Sequence, residues 1–287
     1  MTADWGDCMI QPAIERVGIL YQTKRPAPAE LAATIVSYLQ GCGRAALSAP
    51  LGQEDDLLGQ QPQLLLTLGG DGSMIRAARR GASGAVPILG INFGRLGFLT
   101  ECQPADWQAH LDLVLAGRYR RERRAMLSVR LAFDGTPGEE YLAVNDVALT
   151  RGDQPRAIRV RLSVAGAELG ELTADGIVCA TATGSTGYNL SNGGPILPPE
   201  FRGFAVTAVS PHLSWFRPLL LEQTDALQLR ATGTGGVILT VDGQVDVPMQ
   251  PDQHVHVHIA EPVVTFARTR PAADFYAGLP TRLTARS

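Results

Sequence analysis

Apolar residues in the first part of the chain alternate between short continuous runs and stretches with helical spacing. "RVGILY" (16–21) is a run rich in strand formers, and "APAELAATIVSYLQG" (27–41) after it carries apolar residues at helical spacing and ends on Gly41. "LLLTL" (64–68) and "VPILGIN" (86–92) are two further apolar runs, with a helix beginning near Ser73 between them. "PADWQAHLDLVLAGR" (104–118) reads as another amphipathic helix. Strands alternating with helices predict a parallel sheet covered on both faces.

From about residue 124 the period shortens to two. "AMLSVRLAF", "YLAVNDVALT", "AIRVRLSVAG", "GIVCATA", "FAVTAVS", "ALQLRAT", "VILTVDGQ", "HVHVHIA" and "VVTFAR" are short alternating segments broken by Gly, Asp and Pro. They predict an all-β region built as a sandwich. The tail "ADFYAGLPTRLTARS" is helical again. The expected organisation is an α/β domain over residues 1–120, completed by 271–287, and a β-rich domain over 121–270.

Composition narrows the function more than the fold. The 287 residues suffice for two domains with their own cores, and the hydrophobic share of 45% is ordinary for a globular chain. A net charge of -3 gives no electrostatic basis for a nucleic acid or an anionic membrane as partner. Cys8, Cys42, Cys102 and Cys179 are scattered, with no CxxC pair, and read as free cytosolic thiols. The first residues lack the apolar run of a signal peptide and no later stretch approaches a membrane span, so a cytoplasmic location is expected. Lys24 is the only lysine, which rules out a GxxxxGK[ST] loop. Any phosphate must be met by backbone amides, arginine or metal.

Two stretches carry candidate chemistry. "GGDGS" follows the apolar run 64–68, where an open α/β sheet places its ligand. Gly69, Gly70 and Gly72 permit positive φ and close approach of a ligand, and the helix that follows offers its N-terminal dipole end. The alternative is a tight turn capped by Asp71. The glycine spacing does not fit GxGxxG, so hydride transfer is disfavoured. If the turn holds phosphates, Asp71 either accepts a proton from an attacking hydroxyl or helps hold a magnesium ion. Either job favours phosphoryl transfer over passive binding.

"DGIVCATATGSTGYNLSNGGPILP" (175–198) crowds hydroxyl and glycine residues behind an apolar run, including Thr183, Thr186, Gly187 and Ser191. Such a segment suits a polar, many-armed ligand such as a nucleotide, against the alternative of a surface loop. "LAVNDVALTRG" places Asn145 and Asp146 inside an apolar strand, so at least one faces the interior or a site. The alternative is a turn at a strand end. His254, His256 and His258 share one strand face without converging, which predicts a solvated face rather than a metal site. The basic run "GRYRRERRAMLSVR" (117–130) reads as a solvated junction between domains.

Taken in order, "GGDGSMIRAAR", "VPILGINFGRLGFLTE", "AVNDVALTRG", "DGIVCATATGSTGYNLSNGGPI", "SPHLSWFRPLL" and "VDGQ" resemble the NAD kinase family. GGDG alone is shared with lipid kinases and phosphofructokinases. The threonine-glycine stretch joined to "NFGRLGFL" and the Asn-Asp element is specific. The resemblance implies an N-terminal α/β domain, a β-rich C-terminal domain, and homodimers or homotetramers. It implies transfer of a terminal phosphoryl group from ATP, or from polyphosphate, to the adenosine 2′-hydroxyl of NAD, with magnesium held mainly by the nucleotide phosphates. By position, Asp71 matches the catalytic base of the family, with Gly69, Gly70 and Gly72 forming its loop. Asn145 and Asp146 match an Asn-Glu pair that binds the adenosine half. Asp175 matches the acid at the nicotinamide end. Thr183, Thr186, Gly187, Tyr188 and Ser191 match the segment lining the dinucleotide, and Phe98 a residue beside the substrate. The departures are Asp146 for glutamate, Ala182 for proline, Gly187 for alanine and Ser73 for threonine. Two competing readings are a catalytically silent dinucleotide sensor on the same scaffold and a lipid or sugar kinase of the wider GGDG group.

Overall fold

The structure is a computed structural model that describes residues 13–81, 86–94, 97–133, 136–152, 156–212, 215–232, 236–250 and 253–284. Cys8 and the opening segment, and Arg95 and Leu96 of "NFGRLGFL", lie outside the described residues. The chain divides into two compact units, residues 1–123 with 264–287, and residues 124–263.

The first unit is built on β1 (Arg16–Tyr21), α1 (Ala27–Gly41), β2 (Ala45–Pro50), α2 (Glu54–Leu58), β3 (Leu64–Gly69), α3 (Asp71–Gly81), β4 (Ile88–Asn92) and α4 (Trp107–Leu115). Its strands lie in the order β2-β1-β3-β4, with every pair parallel. All six residues of β3 are buried, because helices cover both faces of a parallel sheet and a central strand must be apolar on both. Each buried leucine there contributes about 2 kcal/mol. Because β2 and β3 flank β1 on opposite sides, the strand order reverses between β1 and β3. A crevice at the carboxyl ends of those two strands is where such a sheet binds ligands. The turn carrying Asp71 leaves β3 at that edge, beside Gln22, whose N–H donates to the Leu68 carbonyl at 3.1 Å.

The second unit is all-β. It holds the long strand β5 (Arg120–Phe133), which begins in the first unit, then β6 (Thr136–Ala143), β7 (Asp146–Arg151), β8 (Ile158–Val164), β9 (Ala167–Ala174) and β10 (Gly176–Ala180). After β10 come a short 3₁₀ turn (Gly184–Thr186) and α5 (Tyr188–Ser191). The remaining strands are β11 (Gly203–Val209), β12 (Leu219–Glu222), β13 (Leu227–Thr232), β14 (Val237–Val241), β15 (Val245–Met249) and β16 (His254–Arg268). One antiparallel sheet runs β12-β11-β10-β7-β14-β15. Another places β13 between β8 and β16, with β9 beyond β8. Val147, Ile177, Val206 and Leu239 of the first pack in one core with Val160, Leu172, Leu229 and Val257 of the second. That shared core makes the unit a sandwich.

β16 continues into the first unit, where Phe266 pairs in parallel with Ile88 of β4. The helical tail then forms two short pieces, α6 (Asp274–Ala277) and α7 (Leu279–Thr284), interrupted at Gly278.

Several sequence expectations need correction. β2 and α2 carried no readable pattern: β2 is an edge strand of mostly small residues that pairs along its whole length with β1 and buries only Ala46. The basic run is no simple solvated junction, because it forms the first half of β5, where Glu122 and Arg124 are buried while Arg121 and Arg123 face out. Strand alternation sorts the charges, and ion pairs with Arg120 and Arg268 make the buried Glu122 tolerable. The three histidines of β16 are half-buried, with the rings of His254 and His256 stacked at 6.4 Å. No group of metal-ligating side chains occurs among the described residues.

Candidate active site

In the first unit, helix α3 begins at Asp71 itself, two residues before the expected start at Ser73. Gly69, Gly70 and Gly72 are not in the positive-φ region, so the turn is not built by left-handed glycines. For Gly69 the reason is space: a β-carbon there would collide with the Ser73 side chain.

The Asp71 carboxylate is held from the opposite side. Its Oδ2 accepts the Phe98 N–H at 2.8 Å and its Oδ1 accepts the Leu99 N–H at 3.1 Å. A carboxylate offers about four acceptor positions, so each oxygen keeps capacity for a further proton or cation. Gly97 lies directly against both oxygens, in space that any β-carbon would contest. The aromatic ring of Phe98 is buried, with Phe275 at 6.4 Å and the Arg282 guanidinium 5.5 Å from its centroid. The same loop is fixed from behind by Arg268, which donates to the Leu99 carbonyl at 2.6 Å and pairs with Glu122 at 2.9 Å.

In the second unit, Asn145 and Asp146 sit at the entry to β7 rather than in its middle. Asp242 organises them, a residue that sequence reasoning did not single out. Its carboxylate accepts the N–H groups of Val144 at 3.1 Å, Asn145 at 2.7 Å and Asp146 at 3.3 Å. Asp242 and Gly243 both have positive φ, 52° and 62°, and form the tight turn between β14 and β15. The "DG" pair was a readable signal for that turn. Asp146 is only 9% exposed. Burial, reinforced by repulsion from Asp242, pushes its carboxyl up to about 7. The Asn145 Oδ1 is buried with no hydrogen-bond partner among the described residues. A buried amide oxygen left without a donor calls for a partner that the described residues do not supply.

The threonine-glycine segment packs against this pair. Thr181 donates to the Val144 carbonyl at 2.6 Å and accepts the N–H groups of Thr183 at 3.1 Å and Gly184 at 3.2 Å. Gly184 rests on the Asn145 backbone with no room for a side chain, and a β-carbon on Gly187 would lie 3.7 Å from the Asp146 Oδ2. Arg124 donates to the Thr183 hydroxyl at 3.3 Å, a contact foreshadowed only by a buried charge in a strand. Many hydroxyls of the segment thus hold the loop itself. Ser185 and Asn189 bond to neighbouring backbone, and Asn189 also accepts the Thr207 hydroxyl at 2.7 Å. Thr186 is buried, whereas Gly187 is half-exposed and Tyr188 and Ser191 are exposed.

Asp175 is not part of this cluster. It precedes β10 while Thr181 follows it, a separation of ~20 Å along a strand. There it pairs with Arg151 at 3.1 Å.

A carboxylate with open acceptor positions at the switch point of a parallel sheet, in a chain that also packs a hydroxyl-rich segment against an Asn-Asp pair, is compatible with a phosphotransferase acting on an alcohol. Comparison with known proteins places it further. The model of the ATP-NAD kinase N-terminal domain matches residues 31–119, and that of the C-terminal domain matches residues 144–269. The NAD kinase of Heliobacterium modesticaldum is 37% identical over 244 residues, covering 81% of this chain and 86% of that protein. The NAD kinase of Symbiobacterium thermophilum is 35% identical, covering 91% and 96%. Yeast NADH kinase, solved with NADH, superposes with a TM-score of 0.80 at 24% identity, covering 96% of this chain and 89% of that one. An NAD kinase from Archaeoglobus fulgidus, solved with ATP, gives 0.74 at 24% identity, covering 94% and 98%. The chain belongs to the ATP-NAD kinase family.

Proposed function

We infer that this chain transfers the terminal phosphoryl group of ATP to the adenosine 2′-hydroxyl of NAD, with Asp71 as the base. The observation that carries the assignment is the anchoring of Asp71 by two backbone N–H groups, which aims its remaining lone pairs without consuming them. The hydroxyl proton passes to the Asp71 carboxylate as the 2′-oxygen bonds to the terminal phosphorus. The bond from that phosphorus to its bridging oxygen breaks, and the electron pair leaves with ADP.

The residues present fit a magnesium ion that stays with its nucleotide, because Asp71 retains acceptor positions. Bound there, it would neutralise charge on the phosphates. On the acceptor side, the unpartnered Asn145 oxygen suits the adenine amino group. Asp146, Thr183, Thr186 and Gly187 complete the adenosine pocket, with Tyr188 and Ser191 on its exposed rim. Asp175, separated from them by the whole of β10, is assigned to the nicotinamide end.

The two compact units are assigned as the two domains, with residues 264–287 belonging to the first. The free thiols Cys42, Cys102 and Cys179 suit a reducing cytoplasm. No helix among the described residues is long and apolar enough to cross a membrane. Assembly as a homodimer or homotetramer is expected and is read by light scattering.

The test is NADP formation by the purified protein with NAD, magnesium and ATP, with polyphosphate replacing ATP in parallel. Asp71→Asn should keep NAD affinity and lose at least ~100-fold in turnover. Near-normal turnover in that variant would overturn the role of Asp71.

A further inference from the structure

The phosphoryl group that meets the hydroxyl near Asp71 carries negative charge toward a carboxylate, and a protein cation close by would offset that charge beyond what magnesium supplies. Lysine is not available in the turn, because Lys24 is the only one in the chain. Two of the described arginines near the turn are committed elsewhere. Arg76 of α3 pairs with Glu54 at 2.6 Å, and Arg268 is held by Glu122 and the Leu99 carbonyl.

Arg282 differs from these. It sits on α7, in the same compact unit as Asp71. Its guanidinium lies over the Phe98 ring at 5.5 Å, and the Phe98 N–H is one of the two that hold Asp71. It also lies against Gly278, where a β-carbon would come within 3.0 Å of its Cζ. The Nε is shut off from solvent and has no hydrogen-bond partner among the described residues. The side chain as a whole is only half-buried, which leaves the rest of the planar fork to meet a ligand. Its electrostatic surroundings agree with its position. Burial and the Arg268 charge push Arg282 down, while Asp71 pulls it up.

We propose that Arg282 is a donor-site residue, its guanidinium binding the terminal phosphoryl group of ATP on the opposite side of the reacting centre from Asp71. The planar fork suits phosphate oxygens, and the Phe98 face holds it in register by stacking. Arg282 itself is unchanged in the step: it offsets charge on the phosphoryl oxygens while the 2′-oxygen attacks and ADP departs. The proposal rests on the assignment of Asp71 as base, which fixes where the phosphorus must be.

Arg282→Met keeps the aliphatic stem over Phe98 and removes the charge, and Arg282→Lys restores charge without the fork. With the full-length enzyme, Arg282→Met should raise KM for ATP about 10-fold and lower kcat about 100-fold. The inhibition constant of ADP, which lacks the terminal phosphoryl, should change less than about 3-fold, and NAD affinity should hold. Arg282→Lys should recover part of kcat. An unchanged KM for ATP, equal weakening of ADP and ATP, or a loss confined to NAD binding each overturns the proposal. Asp71→Asn, measured alongside, separates the two assignments. If it retains turnover while Arg282→Met shows the ATP effect, the base assignment fails and the phosphate contact stands.

Discussion

Asp71 and Asp146 are both carboxylates near candidate sites, yet their surroundings set them opposite tasks. Two N–H donors fix the orientation of Asp71, and Gly97 is the residue that allows the fit. Gly97→Ala should therefore move the carboxylate and cut kcat by at least ~10-fold with KM for NAD little changed, measured by steady-state kinetics. Asp146 is pushed up to about 7 by burial, with Asp242 adding repulsion, from an ordinary value of 3.8. The folded protein thus keeps a proton that the unfolded chain has already released. That contribution to stability is fully present below the unfolded value and is lost as pH rises toward 7. Melting temperatures measured from about pH 4 to pH 8 should show this fall, and Asp146→Asn should flatten it. An identical slope in the variant would show that other groups set the profile.

At the level of elements, the Asn145–Asp146 pair of the second unit is held by a hairpin turn that grips the connection between strands of two different sheets. The β14–β15 turn carries Asp242, whose carboxylate gathers three successive N–H groups between β6 and β7. Asp242→Asn keeps a residue that tolerates positive φ but puts an amide where one oxygen accepted a proton. It should weaken NAD binding about 10-fold and cost about 1–3 kcal/mol, read by titration calorimetry and denaturant melts. Legibility in the sequence also follows the element. β1 and α1 were readable to the residue because each has its own dense apolar pattern. β2 was not, since an edge strand of small residues owes its form to its neighbour. The start of β5 was hidden under charges whose partners, Glu122 and Arg268, are far apart in the chain.

On the scale of the whole molecule, residues 124–263 are inserted into the first unit, which is completed only after the chain returns in β16. The closure is both apolar, through Phe266 beside β4, and ionic, through Arg268. Arg268 and Glu122 are each only 5% exposed at their side chains. Removing one partner strands the other charge, so Arg268→Met should destabilise the first unit by about 3–5 kcal/mol. Hydrogen exchange should then rise in β3 and β4 well before it rises in β7 and β10; a uniform rise would mean that the two units unfold as one.

The sequence by itself determined the two kinds of unit, the glycine turn that carries Asp71 and the family, because these rest on local periodicity and on contiguous motifs. Only the tertiary structure decided which side chains complete the sites. Asp242 beneath Asn145, Arg124 at Thr183, Gly97 against Asp71 and Arg282 over Phe98 are meetings of segments distant in the chain. Such contacts leave no trace in spacing: they arise from strand order and from the need of each buried polar group for a partner.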